Sequence, residues 1–415
     1  MSDTPTLTRS PGVYTLQWAV HQLEARVSRL KDSGQGVLSE VVLRSTLPAS
    51  PGHLHHARLT LTSTTAKADL IKTLAKRLPD IPWDDVVEQL CVLVLKAHRE
   101  GEPVLALDLL PETGPIVPLI APLLYANEPT LLYGFGGSGK SMVAAYLGLL
   151  LAAGLEDERT RLHATPHQVL YLDYETDEHE VRRRLSAFLP GVGLTALPRL
   201  YYRRCAQPLA TEVNDLQALI VEHQIDFLIV DSIGFASAGE FEKGDVAVGY
   251  FRALRQLGVS SLSLDHLAKS QTPGVAGTAF GSIYKMNCAR SAWEIKKAED
   301  NEDDALSVGL FHRKHNSGRL SAPVGLRFEF DGGHVIVRRE DVRDIPDLEE
   351  SLTIKERLIG ALRNGKATVQ ELCEVLGAAD GTIRKALQRH KDKVFTKIGD
   401  SWALLAKAKD EDVPV

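Results

Sequence analysis

Eight consecutive residues of this 415-residue chain have the types and the spacing that are needed to cradle phosphate groups. The segment GFGGSGKS satisfies the pattern GxxxxGK(S/T) at every position. Its glycines let backbone N–H groups converge on phosphate oxygens, and a following helix adds the favourable field of its N-terminus. We expect Lys140 to reach the β- and γ-phosphates of ATP and Ser141 to ligate Mg²⁺. The expected nucleotide-binding residues are Gly134, Phe135, Gly136, Gly137, Ser138, Gly139, Lys140, Ser141 and Met142.

Three polar residues stand at the ends of apolar runs, where strands of an open α/β sheet face the ligand crevice. Asp231 ends the run FLIVD. We expect it to be part of the ATP-binding site and to hold the water shell of Mg²⁺. Glu175 follows the run VLYLD and is placed to polarise an attacking water. His266 follows SLSLD and is placed to sense the γ-phosphate. A surface-turn acid (with Asp173 and Asp177 as competing carboxylates) and a plain core or surface histidine stay open as alternatives.

Short apolar strands alternate with helical stretches from Thr130 onward, which predicts an α/β fold with a mainly parallel sheet. The predicted strands are Thr130–Tyr133, Gln168–Leu172, Leu200–Arg203, Phe227–Val230 and Ser260–Leu264. Two more segments, Cys288–Ile295 and Ser307–Arg313, extend the sheet. The sequence Asp331-Gly332-Gly333 predicts a hairpin turn. The helix Ser141–Leu151 is predicted directly after the phosphate loop.

Residues 1–112 form a predicted N-terminal α+β region, helical and mixed, whose role the sequence leaves unknown. Spacing of apolar residues predicts an amphipathic helix over Tyr14–Leu30. Further elements are a strand over Arg58–Thr64 and helices over Ala66–Leu78 and Trp83–Arg99. The cluster His53, His55 and His56 is a candidate metal site, although a solvated loop is the favoured interpretation.

Taken together, GFGGSGKS, YLDYET, LIVDS and DHLAK resemble the core of RecA-type P-loop ATPases. They most resemble the branch of RepA-like hexameric helicases and related AAA-family ATPases of plasmids and phages. The resemblance covers about residues 113–335 and implies that Glu175 activates water while His266 matches the family's sensor. It also implies catalytic basic residues donated across a subunit interface: Lys314 fits by position, with Arg313 or Arg319 as the companion arginine finger. A solvated basic turn is the alternative.

The same resemblance places two glycine-containing loops, Gly234–Asp245 and Lys269–Lys285, at the centre of a ring. In these loops we expect lysines to contact the phosphates of single-stranded DNA and an aromatic side chain to stack on a base. The candidates are Lys243, Lys269 and Lys285, and Phe280 or Tyr284. Acidic residues in the first loop argue against tight backbone contact. Lids over the nucleotide or subunit contacts are the alternative roles.

An acidic linker, residues 339–351, separates the ATPase region (113–338) from a unit at 352–408 that resembles a winged helix-turn-helix domain. Its helices are predicted over Ile354–Leu362, Thr368–Leu376 and Gly381–His390, with Asp380 as a cap. A hairpin is expected from Val394–Ile398 and Trp402–Leu405. The predicted recognition helix would contact duplex DNA through Arg384, Lys385, Gln388 and Arg389. A winged helix that serves protein contacts is the alternative.

The bulk composition is ordinary for a globular protein, and the net charge of −6 requires any nucleic acid to be met by local basic patches. Four cysteines without CxxC spacing indicate neither a zinc ribbon nor a disulfide framework and favour a cytoplasmic location. No apolar run is long enough to predict a signal core or membrane span. The leading hypothesis is an ATP-hydrolysing, DNA-dependent motor, a homo-oligomeric and hexameric helicase. An ATP-switched DNA-binding regulator and a filament-forming recombination ATPase remain alternatives.

Overall fold

A computed structural model describes residues 4–405, except residues 11, 35, 49, 102–103, 113, 238, 240–243, 268–282, 300–303, 350 and 364. The chain divides into two compact units. The first comprises Met1–Pro115, Gln207–Asp226 and Arg252–Val259, and the second comprises Ile116–Ala206, Phe227–Phe251 and Ser260–Val415. No helix within the described residues is both long and apolar enough to cross a membrane.

The first unit is built on a five-stranded antiparallel sheet in the order β1-β2-β3-β4-β5. Its strands are β1 (Thr6–Ser10), β2 (Val13–Trp18), β3 (Leu23–Ser33), β4 (Gly36–Ser45) and β5 (His53–Thr60). Helices α1 (Thr64–Ala75) and α2 (Trp83–Glu100) follow and confirm the two helices predicted there. Their buried leucines, including Leu70 and Leu90, share one apolar core with the sheet.

The helix predicted over Tyr14–Leu30 is wrong, because these residues form β2, a turn and the start of β3. The helical spacing depended on Val20, which lies in the turn and is 75% exposed. The residues that are buried, among them Trp18, Leu23 and Ala25, follow the alternation of a half-buried strand. Trp18 also donates its indole N–H to Gln89 at 2.8 Å, so the strand is tied to α2.

A nine-stranded sheet organises the second unit, in the order β12-β11-β13-β14-β8-β15-β16-β17-β18. Before it run the short strands β6 (Pro118–Ile120) and β7 (Leu124–Tyr125). Next come β8 (Pro129–Gly134), α3 (Lys140–Ala153), β9 (Glu156–Asp157), β10 (Leu162–His163), β11 (Val169–Asp173), α4 (Glu178–Phe188) and β12 (Tyr201–Arg204). Then follow α5 (Leu209–His223), which belongs to the first unit, β13 (Phe227–Asp231), α6 (Ile233–Ala236), α7 (Gly244–Leu257) and β14 (Ser260–His266). All five predicted parallel strands are confirmed within one or two residues.

The far side of this sheet is antiparallel, as the predicted hairpin requires. After α8 (Ile283–Cys288) come β15 (Ser291–Lys297), β16 (Ala305–His315), β17 (Val324–Asp331) and β18 (His334–Glu340). Strand β15 pairs in parallel with β8 and antiparallel with β16, so it joins the two halves. The strands that carry the candidate site, β11, β13, β14 and β8, are therefore neighbours in the parallel half.

The chain ends in three helices and a small sheet, after the short helix α9 (Pro346–Glu349). The elements are α10 (Ile354–Leu362), β19 (Ala367–Thr368), α11 (Val369–Leu376), α12 (Asp380–Arg389), β20 (Phe395–Ile398) and β21 (Ser401–Leu404). They surround one apolar cluster that includes Leu358, Leu372 and Phe395. Capping boxes begin α10 and α11, whereas the predicted cap at Asp380 is wrong. Asp380 is the first helical residue, and its carboxylate accepts from Arg384 at 2.6 Å instead.

Candidate nucleotide-binding site

The predicted phosphate loop connects β8 to α3, which begins at Lys140. Gly137 and Gly139 have φ angles of 72° and 87°, a left-handed conformation that side chains with a Cβ rarely adopt. A Cβ on Gly134 would lie 2.5 Å from the carbonyl oxygen of Ile295. Gly137 and Gly139 thus allow the backbone turn of the loop, and Gly134 allows the backbone of Ile295 to lie close to it. At the other end, Met142 is half-buried against the core of the unit.

The ammonium group of Lys140 is held at the mouth of the loop. It donates to the carbonyl oxygens of Gly134 at 3.0 Å and Phe135 at 2.9 Å. Burial lowers the pKa of Lys140, while the carboxylates of Asp231, Glu175 and Asp265 raise it. Three acids at or just beyond the C-terminal ends of the central strands therefore act on one lysine.

The strand register explains why these side chains meet. Asp173 of β11 is the register partner of Asp231 of β13, and His266 of β14 is the partner of Gly134 of β8. Because the strands are parallel, their C-terminal ends all open on the same edge as the phosphate loop. Residues that are distant in the sequence thereby form one site.

Asp231 is a buried carboxylate that is satisfied by hydroxyl groups. Tyr171 donates to its Oδ2 at 2.6 Å, and the hydroxyl of Ser141 also hydrogen-bonds to it. Burial raises the pKa of Asp231, and these two hydrogen bonds lower it. A carboxylate next to a serine hydroxyl is the kind of oxygen donor set that Mg²⁺ prefers, so Ser141 and Asp231 fit the predicted metal.

Glu175 lies beside His266 and Ser232. Its Oε1 accepts a hydrogen bond from the Ser232 hydroxyl and is 3.1 Å from Nε2 of His266. Ser232 and Tyr171 were missed in the sequence, although each lies within a motif that was singled out. Their hydroxyl groups fix the two carboxylates from which the candidate site is built.

The competing carboxylates have structural tasks. Asp173 is buried and accepts from the backbone of Glu175 and Thr176 and from the hydroxyl of Tyr202, all near 3.0 Å. Asp177 caps α4, where it accepts from the N–H groups of the first turn. Both therefore hold the turn that presents Glu175.

The basic stretch that begins in the last residues of β16 is largely engaged within its own chain. Arg313 pairs with Glu294 at 2.8 Å and donates to the carbonyl of Ser351. Lys314 donates to the carbonyls of Met286, Asn287 and Ala289 at 2.5–2.9 Å, and burial lowers its pKa. This geometry argues against the predicted donation of Arg313 or Lys314 to a neighbouring subunit. Arg319 is exposed and makes no ion pair with a described residue.

The surroundings of Lys285 argue against its predicted DNA contact. Lys285 is 4% exposed and forms an ion pair with Asp265 at 3.0 Å. Charge neutralisation in a buried place explains this lysine without nucleic acid. The other loop candidates, Lys243, Lys269, Phe280 and the side chain of Tyr284, lie outside the described residues.

The predicted DNA-binding residues of α12 occupy one solvent face. Arg384, Lys385, Gln388 and Arg389 are exposed, while Ile383, Ala386 and Leu387 are buried beneath them. Of the four, Arg384 forms an ion pair with Asp380.

The histidines at 53, 55 and 56 lie on β5, and His56 pairs with Glu40. Across the described parts of the chain, no group of three or more His, Cys, Asp or Glu side chains could hold a metal ion.

Comparison with known proteins agrees with the phosphate-loop geometry. Residues 96–272 match the family described as "AAA domain". This region contains the phosphate loop, Glu175, Asp231 and His266, so the match covers the whole candidate site and supports a P-loop ATPase.

No protein of curated function matches the chain. Among solved structures, a KaiC-like protein from the hyperthermophilic archaeon Pyrococcus horikoshii is 18% identical, with a TM-score of 0.37. That likeness covers 54% of this chain and 99% of the other.

Proposed function

We propose that the protein is a DNA-dependent motor that hydrolyses ATP at the phosphate loop. The observation that carries the hydrolytic part is the contact between Glu175, Ser232 and His266 at the same sheet edge as Lys140. Glu175 is free of any bond to a described lysine or arginine, so its carboxylate can accept a proton from water.

In the proposed reaction the oxygen of a water molecule attacks the γ-phosphorus while the bond to the β,γ-bridging oxygen breaks. Glu175 orients this water and takes its proton, which leaves with inorganic phosphate. Lys140 leaves the loop carbonyls and contacts the β- and γ-phosphate oxygens, where its charge offsets the growing negative charge. His266, in contact with Glu175, reports whether the γ-phosphate is present.

Ser141 and Asp231 would hold Mg²⁺, which supplies positive charge to the phosphate oxygens when it is bound. The hydroxyl of Tyr171 orients the carboxylate of Asp231, which the chain keeps buried. Arg313 and Lys314 are engaged elsewhere, so this proposal uses neither of them in the reaction.

The DNA part of the proposal is supported by the C-terminal elements. Three helices followed by a hairpin have the order of a winged helix-turn-helix domain, with α12 in the place of the recognition helix. The exposed cations of α12 would contact phosphates of duplex DNA. Single-stranded DNA would pass the loops that follow β13 and β14.

A ring of identical subunits, hexameric as in RepA-like helicases, is the proposed assembly. An exposed apolar stretch supports self-association: Val104, Leu105, Leu107, Leu109 and Leu110 are each at least 43% exposed. Contiguous exposed apolar side chains mark surfaces that a partner covers. We infer that a second copy of the chain covers this stretch.

The experiment compares ATPase activity with and without single-stranded DNA for the wild type and Lys140→Ala. Stimulation by DNA that Lys140→Ala abolishes would support a motor, and absence of ATPase activity in the wild type would overturn it. Displacement of a strand from a forked duplex then separates the helicase from the second candidate, an ATP-switched regulator. The exposed cationic face of α12 favours that candidate, because a protein can bind duplex DNA through this face without moving along the DNA.

A further inference from the structure

A cavity lies between the C-terminal helices and the end of β16, within the second unit. Its volume is about 680 Å³. Cations reach it from three segments of the chain: Arg319 from the loop after β16, Lys355 from α10 and Arg389 from the end of α12. We call this cavity the basic cleft.

The acidic residues that line the basic cleft are already neutralised or bonded. Asp341 accepts from Arg343 at 2.7 and 2.8 Å and from Arg363 at 2.9 Å. Glu356 accepts from the backbone and hydroxyl of Thr353, as the partner in a capping box. Asp341 is therefore neutralised by two arginines, and Glu356, which keeps its charge, has its Oε2 engaged by Thr353 and not by a cation of the cleft.

Two of the cleft's arginines are likewise engaged. Arg313 pairs with Glu294, and Arg343 pairs with Asp341. Arg319, Lys355 and Arg389, in contrast, form no ion pair with any carboxylate that the structure describes. Lys355 is half-buried in the wall of the cleft, and the other two side chains are exposed.

The electrostatic effect of this cluster is visible at His390, another residue of the cleft wall. Burial lowers the pKa of His390, and the charges of Lys355, Arg389 and Lys393 lower it further. The cleft thus disfavours an additional positive charge, and by the same field it favours an anion.

We propose that the basic cleft binds the phosphodiester backbone of a nucleic acid, with Arg319, Lys355 and Arg389 as the phosphate contacts. A polymer of phosphates is favoured over a single free phosphate because the cations continue beyond the cleft. Arg389 ends the exposed face of α12 that bears Lys385 and Arg384, the latter paired with Asp380 at the solvent surface, so one backbone would run along α12 and into the cleft. Leu320 and Ile354 supply apolar walls for the sugars.

This assignment rests on the proposed DNA binding and gives it a second contact surface, which lies on the ATPase core. Arg319 and Leu320 belong to the loop between β16 and β17, two strands of the nine-stranded sheet. DNA held in the cleft would therefore touch the sheet that carries the phosphate loop as well as α12. The predicted arginine finger, Arg319, becomes a DNA contact.

The test measures the affinity of the full chain for a fluorescein-labelled oligonucleotide, single-stranded and duplex, by anisotropy across a salt series. The variants are Arg319→Glu with Lys355→Glu, and Arg384→Glu with Lys385→Glu, with Lys366→Glu as the control. Lys366 is an exposed lysine of the same C-terminal region that does not line the cleft. Thermal melting of each variant checks that it folds.

The cleft variant should bind DNA about tenfold or more weakly, and the slope of log affinity against log salt should fall by about one for each phosphate that the protein no longer neutralises. Full affinity in the cleft variant with weaker binding in the α12 variant would overturn the cleft assignment and leave the proposed DNA binding intact. Unchanged affinity in both would overturn both. A change only in the binding of inorganic phosphate or a fluorescent ATP analogue would show a small-anion site and also overturn the assignment.

Discussion

Oε1 of Glu175 lies 3.1 Å from Nε2 of His266, although 91 residues separate them in the chain. The contact links the strand end that presents the candidate base to the strand end that presents the candidate sensor. Because Ser232 also donates to Oε1, the carboxylate is held from two sides. A γ-phosphate that draws His266 away would change the hydrogen bonding of the base itself.

Glu175→Gln should retain ATP binding and lose hydrolysis by about 100-fold or more, because the amide keeps the shape and accepts no proton. Binding of a fluorescent ATP analogue and release of phosphate measure the two effects separately. Asp177→Asn is the control, since asparagine also caps helix N-termini, so the turn before α4 should be kept and hydrolysis should change little. Hydrolysis at the wild-type rate in Glu175→Gln would remove Glu175 from the reaction.

The parallel half of the sheet could be predicted from the sequence because its strands are buried on both faces and read as continuous apolar runs. The phosphate loop and the three strand ends follow from the same pattern. The N-terminal sheet could not be predicted, since the residues of β2 and β3 offer apolar spacings of both kinds. Only the burial of Trp18 and Ala25 and the exposure of Val20 decide between helix and strand.

The role of Lys285 shows a second limit of the sequence. A lysine at the end of a glycine-containing loop is typical of phosphate contact, and its partner Asp265 stands 20 residues earlier. Whether the loop turns this lysine outward or into the core depends on packing that local patterns do not contain. The acid next to His266 in the SLSLDH segment was the one available signal.

Lys285→Met should lower the free energy of unfolding by about 3–5 kcal/mol, because Asp265 would be left as an uncompensated buried charge. Urea denaturation measures this, with Lys366→Met as a surface control that should change stability by about 0.5 kcal/mol or less. The double variant Lys285→Met with Asp265→Leu should recover part of the stability. A stable Lys285→Met protein with weakened DNA binding would restore the original prediction of DNA contact.

Replacing Leu107 and Leu109 by Asp should weaken self-association. Both side chains are about 80% exposed, and each buried leucine contributes about 1.5–3 kcal/mol. Light scattering after size exclusion should show the wild type well above the monomer mass of 45.5 kDa and the double variant shifted towards it. Val20→Asp, at an exposed apolar side chain in a turn, should leave the mass unchanged. An unchanged mass in the double variant would exclude this stretch from the interface.

The buried imidazole of His312 should make stability depend on pH between about 6.5 and 4. Its Nδ1 accepts from the backbone N–H of Ser321 at 2.9 Å, and its ring stacks on Trp293. Burial, together with the charge of His315, lowers the pKa of His312 from 6.5 to about 4. The folded state therefore favours the neutral ring, and its contribution to stability is complete above pH 6.5 and is lost as the pH falls towards 4.

Between pH 7.5 and pH 5, this one residue should lower the free energy of unfolding by about 2 kcal/mol. Urea midpoints at the two pH values measure the decrease. His312→Asn should be less stable at pH 7.5, because the stacked ring is removed, but its further decrease at pH 5 should be smaller by about 2 kcal/mol. His179→Asn, at an exposed histidine of α4, should keep the wild-type pH dependence. Equal decreases in His312→Asn and the wild type would show that His312 does not carry the proton that destabilises the fold.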